Sequence, residues 1–307
     1  MKKKLTAIAG ATALIFSLAA CGGGGGKAFS AEEAGAKNAG DAIVVGSANF
    51  SENVVLGHMY ASALKAGGFD VNTKLNIGSR EIIFREMEKG SIDVLPEYNG
   101  ALLAHLDSKD KSTDTESVNT AIKKHLPSNL GILESSDAQN NNVVVVSGET
   151  AAKHSLSTLS DLAPSAGDMV FGAAPEDKTR FQGIVGLRDV YGLNFKEFKS
   201  LDQAGPLTIT ALKGGDIDAA ILYSTTPEIE KEGFVALDDP EHIFGVQNVT
   251  PLITTAKVPA EAQAILNEIS KKLDTATLTG LNAKVLMDRM DPDVVANEWL
   301  KENGFMD

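Results

Sequence analysis

From Ala42 onward, short apolar segments alternate with amphipathic ones, and this alternation is the feature that most limits the possible folds. Ile43-Val44-Val45 is typical of a buried strand, and the segment opened by Ser51 repeats apolar residues at helical spacing. Further strands are predicted at 69–77, 92–95, 143–146, 169–173, 195–198 and 217–222, with helices at 79–89, 176–191 and 207–213. This order predicts an α/β fold with mostly parallel sheets.

Two segments of the chain echo each other. Gly90-Ser91-Ile92-Asp93 leads to Tyr98, and Gly215-Asp216-Ile217-Asp218 leads to Tyr223 at the same spacing. The glycine suits a left-handed helix end, and the strand then carries the tyrosine toward its carboxyl end, where open parallel sheets bind ligands. We predict two similar lobes that each present a tyrosine to a shared cleft. The alternative is a common helix-to-strand junction with tyrosines that only pack.

The start of the chain has the organisation of a bacterial lipoprotein leader. Lysines follow Met1, an apolar stretch runs from Leu5 to Leu18, and small residues precede Cys21, the only cysteine. Such a stretch is too short to span a bilayer, which favours a cleaved signal. We predict a signal peptide at residues 1–20 and a lipid on Cys21, which holds the protein on the extracytoplasmic face of the cell membrane. An ordinary signal peptide with a chance cysteine is the alternative.

Composition excludes several classes of partner. Residues 21–41 are predicted to be a flexible tether because they contain little apolar surface to bury. The net charge of the chain is −13, and it becomes more negative when a leader with three lysines is removed. Such a charge argues against binding nucleic acid or an anionic membrane surface. The histidines lack metal-ligand spacing, so we expect neither a metal nor a cofactor.

Several motifs occur in the order and spacing of a known family. In the first part of the chain these are Gly46-Ser47-Ala48-Asn49-Phe50-Ser51-Glu52, Leu75-Asn76-Ile77-Gly78-Ser79, Gly90-Ser91-Ile92-Asp93 and Pro96-Glu97-Tyr98-Asn99-Gly100. Later motifs are Phe171-Gly172-Ala173, Arg180 followed by Gly183, Leu237-Asp238-Asp239 and Pro251-Leu252-Ile253. Together they resemble the substrate-binding lipoproteins of osmoprotectant ABC importers, which take up glycine betaine, choline, carnitine and related compounds.

The resemblance implies a periplasmic-binding-protein-like fold of type II, in which two lobes close on a ligand like a Venus flytrap. The first lobe is expected at residues 42–141 together with 247–307, and the second at 142–246. The family also implies a small-molecule ligand and an ABC permease as partners. We expect a monomer that is held to the membrane through Cys21.

The resemblance also implies how the ligand is held. In this family a trimethylammonium group sits among tyrosine faces, and a betaine carboxylate is held by cationic and hydroxyl groups. This chemistry is sound, because aromatic faces attract cations that cannot donate strong hydrogen bonds, while carboxylates prefer the fork of an arginine. By position, Tyr98 corresponds to a cage tyrosine and Arg180 to the arginine for the carboxylate. The other candidate ligand-binding residues are Asn49, Ser79, Arg80, Asn142, Tyr223 and Gln247.

The chain departs from the family at several of these positions. Relatives often have lysine at Ala48, threonine at Ala101, and cage tyrosines near Ile209 and Gln247. Since the chain has only four tyrosines, a complete tyrosine cage is not expected. The phenylalanines considered as substitutes are Phe50, Phe171 and Phe244.

Two arginines have alternative interpretations. Arg80 is expected either to bind the anionic group of a ligand in place of the lysine that relatives have at Ala48, or to be a solvated residue at the start of a helix. Arg180 is expected either to bind a ligand carboxylate or to pair with Glu176.

The leading hypothesis is an extracytoplasmic binding protein for a quaternary ammonium solute, with a different small polar solute as the alternative. A surface enzyme on the same kind of fold is the rival, and Glu97 is its candidate acid or base. We expect no enzyme, because Gly-x-Ser-x-Gly and His-Glu-x-x-His are both lacking and the only cysteine is Cys21. A sensor partner without transport is the third possibility.

Overall fold

The structure is a computed structural model that describes residues 42–110 and 112–307. The predicted signal peptide, the lipidation site Cys21 and the predicted tether lie outside these residues.

The helices and strands follow the predicted alternation. The first part of the chain forms β1 (Ile43–Gly46), α1 (Ser51–Ala66), β2 (Val71–Lys74), α2 (Arg80–Glu88), β3 (Val94–Tyr98), α3 (Asn99–Leu106), α4 (Thr115–His125) and β4 (Leu130–Ile132). The middle part forms β5 (Asn142–Ser147), α5 (Gly148–His154), β6 (Val170–Ala173), α6 (Gly186–Tyr191), β7 (Glu197–Ser200), α7 (Pro206–Gly214), β8 (Ala219–Tyr223), α8 (Glu228–Lys231) and β9 (Phe234–Leu237). The last part forms β10 (Val249–Thr254), α9 (Ala260–Lys272), α10 (Thr275–Leu286) and α11 (Pro292–Glu302).

The strands of the described residues form two sheets with the same organisation. The first sheet has the order β2-β1-β3-β10-β4, and the second has the order β7-β6-β8-β5-β9. In the first sheet β10 is antiparallel to its neighbours β3 and β4, and in the second sheet β5 is antiparallel to its neighbours β8 and β9. The remaining neighbours, β1 with β2 and β3 and β6 with β7 and β8, are parallel. The predicted α/β fold class is therefore confirmed.

The chain passes between the sheets twice, and the two passages lie side by side. Each passage leads into the strand that is antiparallel to its neighbours in the sheet. This strand is β5 on the first passage and β10 on the return. Gln139 and Asn248 form an antiparallel bridge, and the amide of Asn140 donates to the carbonyl of Gln247 at 3.1 Å. The connection between the sheets is therefore a paired double segment, defined here as the crossover.

The aspartate in each echo segment, Asp93 or Asp218, has the same structural role, which is to hydrogen-bond to a neighbouring strand. The amide of Asp93 donates to the carbonyl of Val44 at 2.8 Å, and its Oδ2 accepts the amide of Val44 at 2.9 Å. Asp218 makes the same two bonds with Val170, both at 2.8 Å. In each sheet the aspartate therefore joins the start of one strand to its parallel neighbour.

The isoleucine and glycine of each echo are also used in the same way. A Cβ on Gly46 would lie 2.9 Å from Cγ2 of Ile92, and one on Gly172 would lie 2.5 Å from Cδ1 of Ile217. Each isoleucine thus packs directly on a strand backbone that must lack a side chain. Gly90 and Gly215 have φ of +73° and +75°, as predicted for left-handed helix ends.

Candidate functional site

A cavity of about 290 Å³ is lined by residues from both sheets and from the crossover. Tyr98 stands at the end of β3 and Tyr223 at the end of β8, so the two echo segments meet here. The cavity is lined by Phe50, Arg80, Glu81, Tyr98, Ala101, Ala104, His105, Ser108, Asn140, Asn142, Thr179, Arg180, Phe181, Gln182, Gln203, Tyr223 and Gln247.

Three aromatic rings form one connected surface in this cavity. The ring of Phe50, just before α1, lies 5.9 Å from the ring of Tyr98 and 5.0 Å from that of Tyr223, measured between centroids. The surface of Phe50, Tyr98 and Tyr223 is called the aromatic face below. Phe171 and Phe244, the other suggested substitutes, lie instead in the core of the second sheet.

The tyrosine hydroxyls of the aromatic face are both engaged with the protein. Tyr98 donates to Oε1 of Glu52 at 2.6 Å, and Nε2 of Gln203 donates to the hydroxyl of Tyr223 at 2.7 Å. Burial, followed by the nearby charge of Glu52, raises the pKa of Tyr98 well above its usual value, so the residue stays a neutral phenol. What these residues offer a ligand is therefore chiefly their rings.

Arg80 is held by Glu97 in a two-bond pair. Its Nε lies 2.7 Å from Oε1, and its Nη2 lies 2.9 Å from Oε2. The two side chains are 16% and 4% exposed, so the interpretation of Arg80 as a solvated helix-start residue is wrong. Oε2 of Glu97 also accepts the amide of Tyr98 at 2.8 Å, which engages the carboxylate that the enzyme hypothesis needed.

Arg180 forms a second two-bond pair, and this pair joins the two parts of the molecule. The residue precedes α6 in the middle part of the chain, and its partner Glu81 lies on α2, with N–O distances of 3.0 and 2.9 Å. Nη1 of Arg180 also lies 3.6 Å from Oδ1 of Asp177. The suggested pairing of Arg180 with Glu176 is therefore wrong.

The charges around Arg180 shift two carboxyl groups in opposite directions. Burial acts to raise the pKa of Glu81, but Arg180 and local hydrogen bonds outweigh it and lower the value to about 2. Burial raises the pKa of Asp177 to about 6, because Arg180 compensates it only in part. The strong ionic partner of Arg180 is thus Glu81.

Gly183 explains why a glycine follows Arg180 in the sequence motif. A Cβ at this position would lie 2.2 Å from the carbonyl oxygen of Asp177. The backbone of the turn therefore passes too close for any side chain, and this closeness fixes the segment that carries Arg180.

Two other predicted ligand-binding residues line the cavity, but their side-chain amides form hydrogen bonds with backbone atoms of the protein. Gln247 donates to the carbonyl of Phe244 at 2.7 Å and accepts the amide of Ala101 at 2.9 Å. Asn142 donates to the carbonyl of Gln182 at 3.3 Å. These two side chains therefore shape the wall of the cavity.

The last two predicted residues lie outside the cavity lining. Asn49 is exposed and belongs to a neighbouring cavity of about 310 Å³ on the other side of the aromatic face. Ser79 is buried directly before α2 and positions the start of the helix that carries Arg80 and Glu81.

The residues that sequence reasoning missed include Glu81, Phe181 and Gln203, which line the cavity, and Glu52, which lies directly behind the aromatic face. Glu52 stands inside a quoted motif, and Glu81 follows Arg80, so their positions beside candidate residues were available as a signal. Their partners are far away in sequence, however, and no spacing rule points from Glu81 to Arg180.

Comparison with known proteins decides the family. The family described as the substrate binding domain of ABC-type glycine betaine transport systems matches residues 41–302. This chain belongs to that family. Its members are the substrate-binding components of ABC importers, and the resemblance found in the sequence is confirmed.

Individual relatives are similar over most of their length. The glycine betaine-binding protein YehZ of Escherichia coli (strain K12) is 25% identical over 280 residues, covering 86% of this chain and 91% of that protein. The carnitine transport binding protein OpuCC of Listeria monocytogenes serotype 1/2a (strain 10403S) is 25% identical over 274 residues, covering 87% and 88%. The crystal structure of a glycine betaine/carnitine/choline ABC transporter protein is 24% identical with a TM-score of 0.68, covering 86% of this chain and all of that one. The likeness in structure confirms the type II binding-protein fold.

Proposed function

We propose that this protein captures a quaternary ammonium solute, such as choline, glycine betaine or carnitine, and delivers it to an ABC permease. The observation that carries the proposal is the aromatic face, in which rings from both sheets line one cavity. A quaternary ammonium offers no strong hydrogen-bond donor, so ring faces are suitable partners for it, at roughly 0.5–2 kcal/mol each.

The size of the site fits a small solute. The volume of about 290 Å³ is at the lower end of ligand cavities, which span roughly 300–1,000 Å³. A micromolar ligand needs about −8 kcal/mol, and contacts with three rings supply a substantial part of this together with burial.

The charges of the cavity favour the ammonium group as the main recognised feature. Both arginines that line the cavity are engaged by carboxylates, Arg80 by Glu97 and Arg180 by Glu81. A ligand carboxylate would therefore have to replace Glu81 at Arg180, whereas the aromatic face is available without such an exchange.

The proposed motion is closure of two lobes, residues 42–141 with 247–307 and residues 142–246. The crossover is the natural hinge, because it is the paired segment through which the chain joins the two sheets. The ion pair of Arg180 with Glu81 joins the two lobes at the cavity, and it stabilises the closed arrangement.

We further propose an extracytoplasmic lipoprotein anchored through Cys21 and acting as a monomer. This proposal rests on the leader sequence. Among the residues that the structure describes, none of the helices is long and apolar enough to cross a bilayer. Radiolabelled palmitate should label the wild-type protein in its bacterial host but not the Cys21→Ser variant, and equal labelling of both would refute the anchor.

Calorimetric titration of the purified protein tests the ligand class. Choline, glycine betaine and carnitine are titrated into the wild type and into Tyr98→Leu, with Phe195→Leu as the matched control. Phe195 packs on Phe171 in the second sheet, away from the cavity. We expect micromolar binding of at least one solute, a loss of tenfold or more in Tyr98→Leu, and little change in the control.

Two results would contradict this function. The absence of binding by all three solutes would favour a different small polar solute. Equal losses in Tyr98→Leu and Phe195→Leu would show that the aromatic face is not the binding surface.

A further inference from the structure

Glu52 is a buried carboxylate at the centre of a four-bond network directly behind the aromatic face. It is 3% exposed. Its Oε1 accepts bonds from the hydroxyl of Tyr98 at 2.6 Å and from Nδ2 of Asn140 at 2.7 Å. Its Oε2 accepts bonds from the hydroxyl of Thr225 at 2.7 Å and from Nδ2 of Asn282 at 2.6 Å.

The donors come from four separate parts of the fold. Tyr98 ends β3 of the first sheet, Asn140 lies in the crossover, Thr225 follows β8 of the second sheet, and Asn282 lies on α10. Since one of them belongs to the second sheet, the network is complete only when the two parts of the molecule are together.

All four partners are neutral. Within residues 42–110 and 112–307, no lysine, arginine or histidine forms an ion pair with Glu52. A buried charge normally has a partner of opposite sign, because removing an ion from water is costly. The four hydrogen bonds and the first turn of α1 stabilise the carboxylate locally, but they leave its net negative charge uncompensated.

The location of this charge matters for a ligand in the cavity. The phenol of Tyr98 separates Glu52 from the cavity, with its hydroxyl on the carboxylate and its ring in the aromatic face. A cation placed on that ring would therefore have behind it a buried negative charge that lacks an ionic partner among the described residues, and burial weakens the screening of such an attraction relative to water.

We propose that Glu52 determines the charge specificity of the site, by acting through Tyr98 as the remote counter-charge of a cationic ligand. Glu52 lines the neighbouring cavity that contains Asn49 but not the main cavity, so it acts without direct contact on a ligand that lies on the ring of Tyr98 in the main cavity. This inference rests on the proposed binding of quaternary ammonium solutes, and it adds the residue that makes the site prefer a cation over a neutral molecule of the same shape.

The expected size of the effect follows from Coulomb's law. A cation on the ring of Tyr98 would lie on the order of 10 Å from the carboxylate, given a ring-to-cation distance of up to about 6 Å. With an effective dielectric constant of about 20, this attraction corresponds to roughly a tenfold change in Kd.

The test compares choline with 3,3-dimethylbutan-1-ol, its neutral carbon isostere, by calorimetry or competition. In the wild type we expect choline to bind more tightly than the isostere by well over tenfold, because the rings add to the effect of Glu52. In Glu52→Gln this ratio should fall about tenfold. Glu116→Gln, an exposed acid in the first turn of α4, is the matched control and should leave the ratio unchanged.

Two variants separate the charge from the hydrogen bonds, and they keep the test decisive if Glu52→Gln does not fold. Thr225→Val removes one bond to Glu52 and Glu52→Asp shortens the side chain, but both keep the negative charge. We expect the ratio to stay within about threefold of the wild type in both.

Each outcome has a defined meaning. A ratio that falls in Glu52→Gln and persists in the charge-retaining variants supports the proposal. Equal losses for choline and the isostere in Glu52→Gln would show a purely structural role and overturn it. Loss of the ratio in Thr225→Val or Glu52→Asp would also overturn it. If the wild type binds no quaternary ammonium solute, the proposed function itself fails, which is a distinct result.

Discussion

Replacing Arg80 by methionine should destabilise the protein strongly, because Glu97 would remain buried without its charged partner. The guanidinium and the carboxylate are joined by two bonds of 2.7 and 2.9 Å, and the Glu97 side chain is 4% exposed. Methionine keeps the apolar stem of the side chain, so the change removes chiefly the charge and the donors.

The expected cost is about 3–5 kcal/mol, which is typical for removing one partner of a buried ion pair. The amide of Tyr98 still donates to Glu97, but one neutral bond offsets only about 1 kcal/mol of this. With a urea slope near 3 kcal/mol per molar, the unfolding midpoint should fall by roughly 1–1.7 M.

Urea unfolding of the ligand-free protein, followed by circular dichroism, measures the effect. The matched control is Arg188→Met, because Arg188 and its partner Asp189 are 51% and 50% exposed, so solvent screens their pair and its loss should leave the unfolding midpoint nearly unchanged. The double variant Arg80→Met with Glu97→Gln should recover part of the loss, since the buried negative charge is also removed.

A loss below about 1 kcal/mol in Arg80→Met would refute this reasoning. It would mean that Glu97 becomes hydrated or protonated at little cost, and that the pair does not hold the end of β3 in place.

Three further predictions concern the segment around Arg180. Glu81→Gln should increase the affinity for glycine betaine relative to choline in calorimetry, because it frees the arginine for a ligand carboxylate; Glu88→Gln, exposed on the same helix, should not. Burial raises the pKa of Asp177 from 3.8 to about 6, so between pH 4 and 6 the folded protein retains a proton that the unfolded chain releases. Stability should therefore fall as the pH rises through this window, by on the order of 2–3 kcal/mol, and chemical unfolding of Asp177→Asn should show no such fall. Gly183→Ala should weaken binding of the preferred solute at least tenfold in calorimetry, because its Cβ would displace the turn; unchanged affinity would contradict the fixed geometry.

The sequence predicted most of the alternation of strands and helices, because these elements have strong local patterns. Fully apolar segments such as that of β5 indicated buried strands, and α10 begins at a local cap, in which Asp274 accepts the amide of Thr277 at 2.7 Å. The predicted helix at 176–191 was wrong for its first half, where only short turns precede α6. The close backbone approach at Gly183 forces this irregular path.

The site was harder to predict, because its partners are distant in sequence. Tyr98 and Arg180 were identified through the family motifs, yet the pairing of Arg180 with Glu81 joins segments about a hundred residues apart. Glu52 has partners in four elements, three of which follow it by more than 80 residues. Local periodicity says nothing about such contacts, which appear only when the sheets are placed together.

The two halves of the sequence echo therefore lead to similar geometry but different electrostatics. In both sheets the glycine ends a helix, the isoleucine packs on a glycine of the neighbouring strand, and the aspartate binds that strand, so each tyrosine reaches the cavity at an equivalent position. The hydroxyl of Tyr98 meets the carboxylate of Glu52, whereas that of Tyr223 meets the neutral amide of Gln203. The repeat therefore explains where the two tyrosine rings lie. Glu52 and Gln203 stand outside the repeat, and since only Glu52 is a carboxylate, we expect a cation to be attracted more strongly to the Tyr98 side of the aromatic face.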